Sequence, residues 1–218
     1  KALFTVKTQD QSFQTKTIII ATGTKVKKLD IKGEDKFANK GVHYCALCDG
    51  PLYKQKTLCV VGGGDSAAKG ALVLSEWGKK VYLIYRGDKI TPEPVNMKRI
   101  EKKVKENKIE IITNTNLIEI NGKDKVTSIL LDRPANKKMD MDGIFIEIGH
   151  IPLSDLVKPL GVKTNQKGEI IIDKNANTNI PGIFAAGDVV DGHFKQAITG
   201  SAEGVLAAYS AYEFVNKA

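Results

Sequence analysis

The run from Thr57 to Arg86, TLCVVGGGDSAAKGALVLSEWGKKVYLIYR, restricts the fold more than any other part of the 218-residue chain. An apolar, β-branched start, three successive glycines and an alanine-rich stretch predict a strand over 57–61 and a helix over 66–77. Gly78 stops that helix, and a second strand is expected over 81–85. Such a βαβ unit requires a parallel sheet with its crossover helix on one face. Gly62, Gly64 and Ala67 fill a G-x-G-x-x-A pattern. One glycine makes the tight turn, the next lets a pyrophosphate approach the backbone, and the small third residue lets helix and strand pack closely. The unpaired N–H groups of the helix start add partial positive charge for phosphates. Gly62, Gly63, Gly64, Asp65, Ser66 and Ala67 are therefore candidate dinucleotide contacts.

The end of the second strand bears on which dinucleotide binds. A carboxylate there would accept hydrogen bonds from ribose hydroxyls and favour NAD. The chain instead has Tyr85 and Arg86, followed by Gly87, Asp88 and Lys89. Both Tyr85 and Arg86 are candidate contacts, and the balance favours NADPH slightly, with NADH left open.

Around this unit, Lys1 to Gln14 alternates apolar and polar residues and reads as a hairpin about 9–12, with Leu3, Phe4, Val6 and Phe13 inward. TKTIIIATG reads as a strand buried on both faces, ending at Thr22 and Gly23. The lysine-rich stretch 25–40 reads as a surface connection where the chain changes domain. Downstream, a helix is expected over 95–107 with Met97, Ile100 and Val104 on its inner face. Strands are expected over 109–113, 117–121, 126–132 and 143–148, with an antiparallel arrangement. GIFAAGDV reads as a buried strand, and a last helix is expected from about Gln196 to Val215.

Composition excludes several classes. At 42% hydrophobic and 27% charged the chain is globular, and no apolar run approaches the length of a membrane helix. The net charge of +8 comes from scattered lysines, with arginine only at 86, 99 and 133, so no nucleic-acid stripe is expected. Three cysteines, two of them close together, argue against a framework of structural bridges and for a reducing, cytoplasmic setting. The chain opens on Lys1 without a leader and is expected to begin partway through a longer protein.

The close pair is Cys45-Ala46-Leu47-Cys48, followed by Asp49. Thiols at this spacing can close a disulfide across one turn and exchange it. A zinc site would need two further ligands from Cys59, His43, His150 and His193, with no second paired motif, so no metal is expected. Asp49 either handles the proton of thiol exchange or caps a helix. Cys59, inside a strand, reads as core. Hydride arriving from a nicotinamide and leaving through sulfur needs an intermediate two-electron carrier, and flavin is the usual one.

Five ordered segments, GVHYCALCDG, VVGGGDSA, IFIEIGHIP, GIFAAGDV and KQAITGSAEGVLAA, resemble the low-molecular-weight thioredoxin reductases across essentially the whole chain. The resemblance implies an α/β fold: a Rossmann-like dinucleotide module with an antiparallel β layer, inserted into an incomplete FAD-binding domain. The implied boundaries are 1–28 and 149–218 for the FAD-binding parts and 29–148 for the NAD(P)H module. Thr22 and Gly23 resemble the end of a flavin-domain strand, Gly187 and Asp188 the site that hydrogen-bonds FAD, and Lys195, Gln196 and Ala197 the helix start facing the flavin.

By the same likeness, electrons would pass from NADPH through FAD to the Cys45/Cys48 pair, with Cys48 toward the flavin, Cys45 attacking the partner and Asp49 as acid–base. The partner would be thioredoxin or a similar small dithiol protein, the full-length parent would be a homodimer, and two interdomain connections, near 26–31 and 147–152, would permit a hinge rotation. A reductase component of a peroxide-removing system shares these motifs, and a non-catalytic redox sensor is the reading from another class. Two departures stand out. The NADPH-using members have a His-Arg-Arg string and a further Arg where this chain has Tyr85-Arg86-Gly87 and Thr91. The family's own leading βαβ unit, roughly a hundred residues, has no counterpart before Lys1, so weak FAD retention is expected of this chain.

Overall fold

The computed structural model describes residues 4–134 and 137–216. The chain divides into two compact units, one of Val26–Gly149 and one formed by the residues up to Lys25 together with those from His150 onward.

In chain order, the second of these units opens with strands β1 (Phe4–Lys7) and β2 (Ser12–Thr15), an antiparallel hairpin. Then come β3 (Ile18–Ile20) and β4 (Thr24–Val26). The Val26–Gly149 unit contributes β5 (Val42–His43), α1 (Ala46–Asp49), β6 (Thr57–Val61), α2 (Asp65–Trp77), β7 (Lys80–Ile84) and α3 (Pro94–Lys105). It continues through β8 (Ile109–Ile112), β9 (Leu117–Gly122), β10 (Val126–Leu131), β11 (Lys137–Asp140) and β12 (Gly143–Ile146). The chain then returns with β13 (His150–Pro152), β14 (Ile183–Ala185) and α4 (Ala197–Asn216).

The Val26–Gly149 unit has three layers. Its central sheet has the order β5-β12-β6-β7-β8 with every neighbouring pair parallel. The two-residue period of β6 explains the layering. Leu58 and Val60 pack with Ala67, Ala71 and Leu74 of α2 and Ile100 of α3. Cys59 and Val61 belong to the opposite cluster with Leu117, Ile120, Val126, Ile129 and Leu131 of β9 and β10. Those strands and β11 make an antiparallel sheet in the order β11-β10-β9. Small residues Ala67, Ala68, Gly70 and Ala71 let α2 lie close on the parallel sheet.

Several expectations are corrected. Of the later strands, β9 and β10 are antiparallel, but β8 and β12 run parallel to β7 and β6 because they complete the crossover sheet. The 25–40 stretch is not merely a surface connection: Phe37 is buried in the core, and buried Glu34 accepts the N–H groups of Leu29 and Asp30 and the Tyr44 hydroxyl. Val104 is exposed, and on α3 only Ile100 of the expected apolar face is fully buried, with Met97 partly so.

In the other unit, β3 pairs in parallel with β14, Ile18 opposite Ile183 and Ile20 opposite Ala185. Ile20 is buried but Ile19 is 43% exposed, so β3 is covered on one face only. Phe4 packs partly against the core, while Val6 and Phe13, paired farther along the hairpin, are exposed because only its Phe4/Thr15 end is partly buried; Leu3 lies outside the described residues. Among the described residues, no helix is long and apolar enough to cross a membrane.

Candidate active site and nucleotide cleft

At the C-terminal ends of the parallel strands, the Val26–Gly149 unit holds a cleft of about 780 Å³, lined by Gly62–Ser66, Tyr85, Arg86 and Glu147 among others. This is where an open α/β sheet presents its ligand crevice. The three glycines there have different physical reasons. Gly62 has φ +147°, and a Cβ on it would collide with the carbonyl oxygen of Glu147. A Cβ on Gly63 would run into the Tyr85 ring. At Gly64, the residue preceding α2, nothing lies within 4 Å of a Cβ. The first two glycines thus serve the packing of the turn, and the third leaves open space beside the start of α2, where unpaired N–H groups suit an anion.

The remaining predicted contacts divide. Ser66 and Arg86 are exposed, and Ala67 is buried against the sheet. Asp65 is committed to the protein: it accepts from Asn96 Nδ2 at 2.7 Å and from the Glu93 N–H at 3.1 Å, and pairs with Lys69 at 2.6 Å. Partial burial would raise its carboxyl, but Lys69, Asn96 and the Glu93 N–H hold it below the ordinary range. Asp65 therefore ties the start of α2 to the start of α3. Tyr85 donates its N–H to Ile112 and accepts from Thr115, and its ring fills the space left by Gly63 and Gly87.

Cys45 and Cys48 form a disulfide, Cα to Cα 5.3 Å, at the start of α1. Cys45 caps this one-turn helix, its sulfur accepting the Cys48 N–H at 3.2 Å. Cys48 is exposed and Cys45 half-buried; Leu47, between them in the chain, and Leu52, four residues after Cys48, are 75% and 77% exposed. Cys59 is wholly buried, which pushes its thiol well above the usual range. Among the described residues no cluster suits a metal ion.

Three residues near the disulfide escape the motif reading. Asp49 lies beside buried His43, Oδ2 to Nδ1 3.2 Å, and His43 Nε2 is 2.7 Å from the Tyr53 hydroxyl. Glu147 lines the cleft with its carboxylate toward the Ala46 N–H; burial, partly offset by that N–H, pushes its carboxyl up to about 7. The available signal was polarity out of place: a lone histidine before the first cysteine and a lone acid ending an apolar strand.

In the other unit, β3 and β14 end at Ile20 and Ala185 with the Ala186 N–H donated to Ile20, so Thr22–Gly23 and Gly187–Asp188 both follow the C-terminal end of this parallel pair. The Thr22 hydroxyl donates to Leu153, and the Gly187 N–H donates to Glu203 at 2.8 Å. Lys195 is held by Glu169 at 3.0 Å and by the carbonyls of Asp188 and Val190. Gln196 and Ala197 are exposed at the beginning of α4, the Gln196 N–H donating to Thr199 at 3.1 Å.

The sequence profile of the pyridine nucleotide-disulphide oxidoreductase family matches residues 1–204. The chain belongs to this family. It is 37% identical over its whole length to a thioredoxin reductase of Listeria innocua, of which it spans 68%. It is 38% identical over 93% of its length to a subunit of the alkyl hydroperoxide reductase of Staphylococcus aureus, spanning 40% of that protein. The crystal structure of Lactococcus lactis thioredoxin reductase is similar over 99% of this chain and 71% of its own, with a TM-score of 0.80 and 38% identity. The chain is thus an α/β member of an oxidoreductase family, and it spans between two fifths and about two thirds of the length of these two curated relatives.

Proposed function

We propose that this chain carries the nicotinamide-binding and redox-disulfide parts of a flavin-dependent disulfide reductase of the thioredoxin reductase type. The observation that carries the reading is the placement of the Cys45–Cys48 disulfide on the same unit as a glycine-lined cleft at the ends of a parallel sheet. Gly62–Gly64 and the start of α2 would hold the pyrophosphate, and Tyr85 with Arg86 the adenosine half. NADPH is the favoured nucleotide and NADH the alternative. FAD, when bound, supplies the two-electron link between nicotinamide and sulfur. Thr22, Gly23, Gly187, Asp188, Gln196 and Ala197 are its proposed contacts.

In this reading Cys48 faces the electron donor and Cys45 attacks the partner disulfide, the partner being thioredoxin or a similar dithiol protein. Asp49 exchanges the proton. Leu47 and Leu52, apolar and exposed beside the disulfide, suit the approach of a protein rather than a small polar thiol. The likeness to the alkyl hydroperoxide reductase protein supports a second reading, the reductase component of a peroxide-removing system. The test is nicotinamide oxidation by the protein supplemented with FAD, with thioredoxin or a peroxidase-type dithiol protein as acceptor, in wild type and Cys48→Ser. Turnover that is lost in Cys48→Ser supports the assignment; turnover unchanged by the substitution removes Cys48 from the electron path. The better acceptor separates the two readings.

A further inference from the structure

His43 occupies the second position of the short edge strand β5, 6% exposed, with its ring stacked on Phe145 at 5.3 Å and Tyr53 edge-on at the same distance. Its Nδ1 is buried and makes no well-directed hydrogen bond, with Asp49 Oδ2 standing 3.2 Å away. On the other side, Nε2 and the Tyr53 hydroxyl are 2.7 Å apart. A bare imidazole nitrogen and a carboxylate oxygen at such a distance repel one another, so the arrangement needs a proton between them. The Tyr53 hydroxyl can donate to Nε2, which leaves the ring hydrogen on Nδ1, on the Asp49 side.

The surroundings favour that inventory. Burial holds His43 below the usual imidazole range while Asp49 pulls it upward. Burial, with the charges of Asp49 and Asp142, raises the Tyr53 phenol, so it keeps its proton. The Asp49 side chain is 33% exposed and can trade protons with water, whereas His43 cannot.

We propose that His43 is a positioning residue whose Nδ1–H holds Asp49 as an ionised proton acceptor, so that a Tyr53–His43–Asp49 relay serves the exchange chemistry of Cys45 and Cys48. This rests on the disulfide-reductase reading above. From the reduced pair, the Cys45 thiolate attacks one sulfur of a protein disulfide; that S–S bond breaks, a mixed disulfide forms, and the departing thiolate is protonated from water. The Asp49 carboxylate takes the proton of the Cys48 thiol as its sulfur attacks Cys45. The mixed bond then breaks, and the second substrate thiolate takes that proton from Asp49. Two electrons have passed to the substrate, and Asp49 has gained one proton and given it up.

The histidine ring signals of the protein, followed by NMR against pH, test this without turnover, so its failure is read separately from a failure to reduce any protein disulfide, which would sink the functional reading. In Asp49→Asn the His43 titration is expected to move down by about one pH unit. In dithiothreitol-reduced protein, the pH profile of iodoacetamide alkylation at Cys45 and Cys48 should carry an inflection that tracks His43 and disappears in His43→Asn. Tyr53→Phe, which keeps the ring packing, covers the case in which His43→Asn does not fold; it should shift the same inflection. A His43 titration indifferent to Asp49→Asn, or an alkylation profile the same in wild type and Tyr53→Phe, would overturn the relay.

Discussion

Gly62 and Ala67 stand so close across the turn between β6 and α2 that a Cβ on the glycine would lie 2.9 Å from that of the alanine. The same atom would strike the Glu147 carbonyl, and the glycine's φ of +147° suits no other residue. Gly62→Ala should therefore cost about 2–3 kcal/mol in urea unfolding. Gly64→Ala, where the added methyl meets nothing, should cost less than about 1 kcal/mol. Equal losses at both positions would contradict the division between packing and ligand glycines.

Glu147 makes stability depend on pH. Its carboxyl goes from an ordinary 4.5 to about 7 in the folded chain, so the folded state binds a proton that the unfolded state has released. Its contribution is full below pH 4.5, falls as pH rises toward 7, and is flat beyond. Glu147→Gln should match wild type at pH 4.5 and exceed it at pH 8 by on the order of 2 kcal/mol, after allowance for partial exposure. Denaturant midpoints across this range decide it, and parallel pH curves for the two proteins would show that the group ionises freely.

The cysteines should differ sharply in reactivity. After reduction of the native protein, iodoacetamide should label Cys45 and Cys48, whereas Cys59, wholly buried with its thiol pushed up, should react only on unfolding. Mass analysis of the labelled peptides reads this directly. Labelling of Cys59 in the folded, reduced chain would mean that the β6 core opens readily.

In the proposed function, coenzyme choice would turn on Arg86, which is exposed and lines the cleft. If it meets a 2′-phosphate, Arg86→Gln should weaken NADPH about tenfold and leave NADH unchanged. Equal effects on both nucleotides would assign Arg86 to the shared pyrophosphate or ribose.

The strands and helices of the Val26–Gly149 unit were legible because each carries a short-range signal. The apolar run at 57–61, the glycines and the alanine-rich face of α2 state the βαβ unit locally, and β6 ends where the pattern does. Strand direction was not legible for β8 and β12, since partners are chosen by burial in three dimensions: two runs as alike as Ile109–Ile112 and Val126–Leu131 join sheets of opposite kind. Burial of Glu34 and Phe37 inside a lysine-rich stretch was hidden for the same reason, as composition averages over residues that packing separates. The cysteine pair could be read from spacing, but His43 and Tyr53 could not be joined to Asp49. Their contact spans ten residues and depends on the path of α1.

Whether the Gly62–Gly64 turn holds a dinucleotide is decided by titrating the chain with NADPH and NADH, in wild type and Gly64→Val. Wild type should show one saturable site for the preferred nucleotide, lost in Gly64→Val while the protein remains folded. No saturable binding by wild type, or the same affinity in folded Gly64→Val, would contradict it.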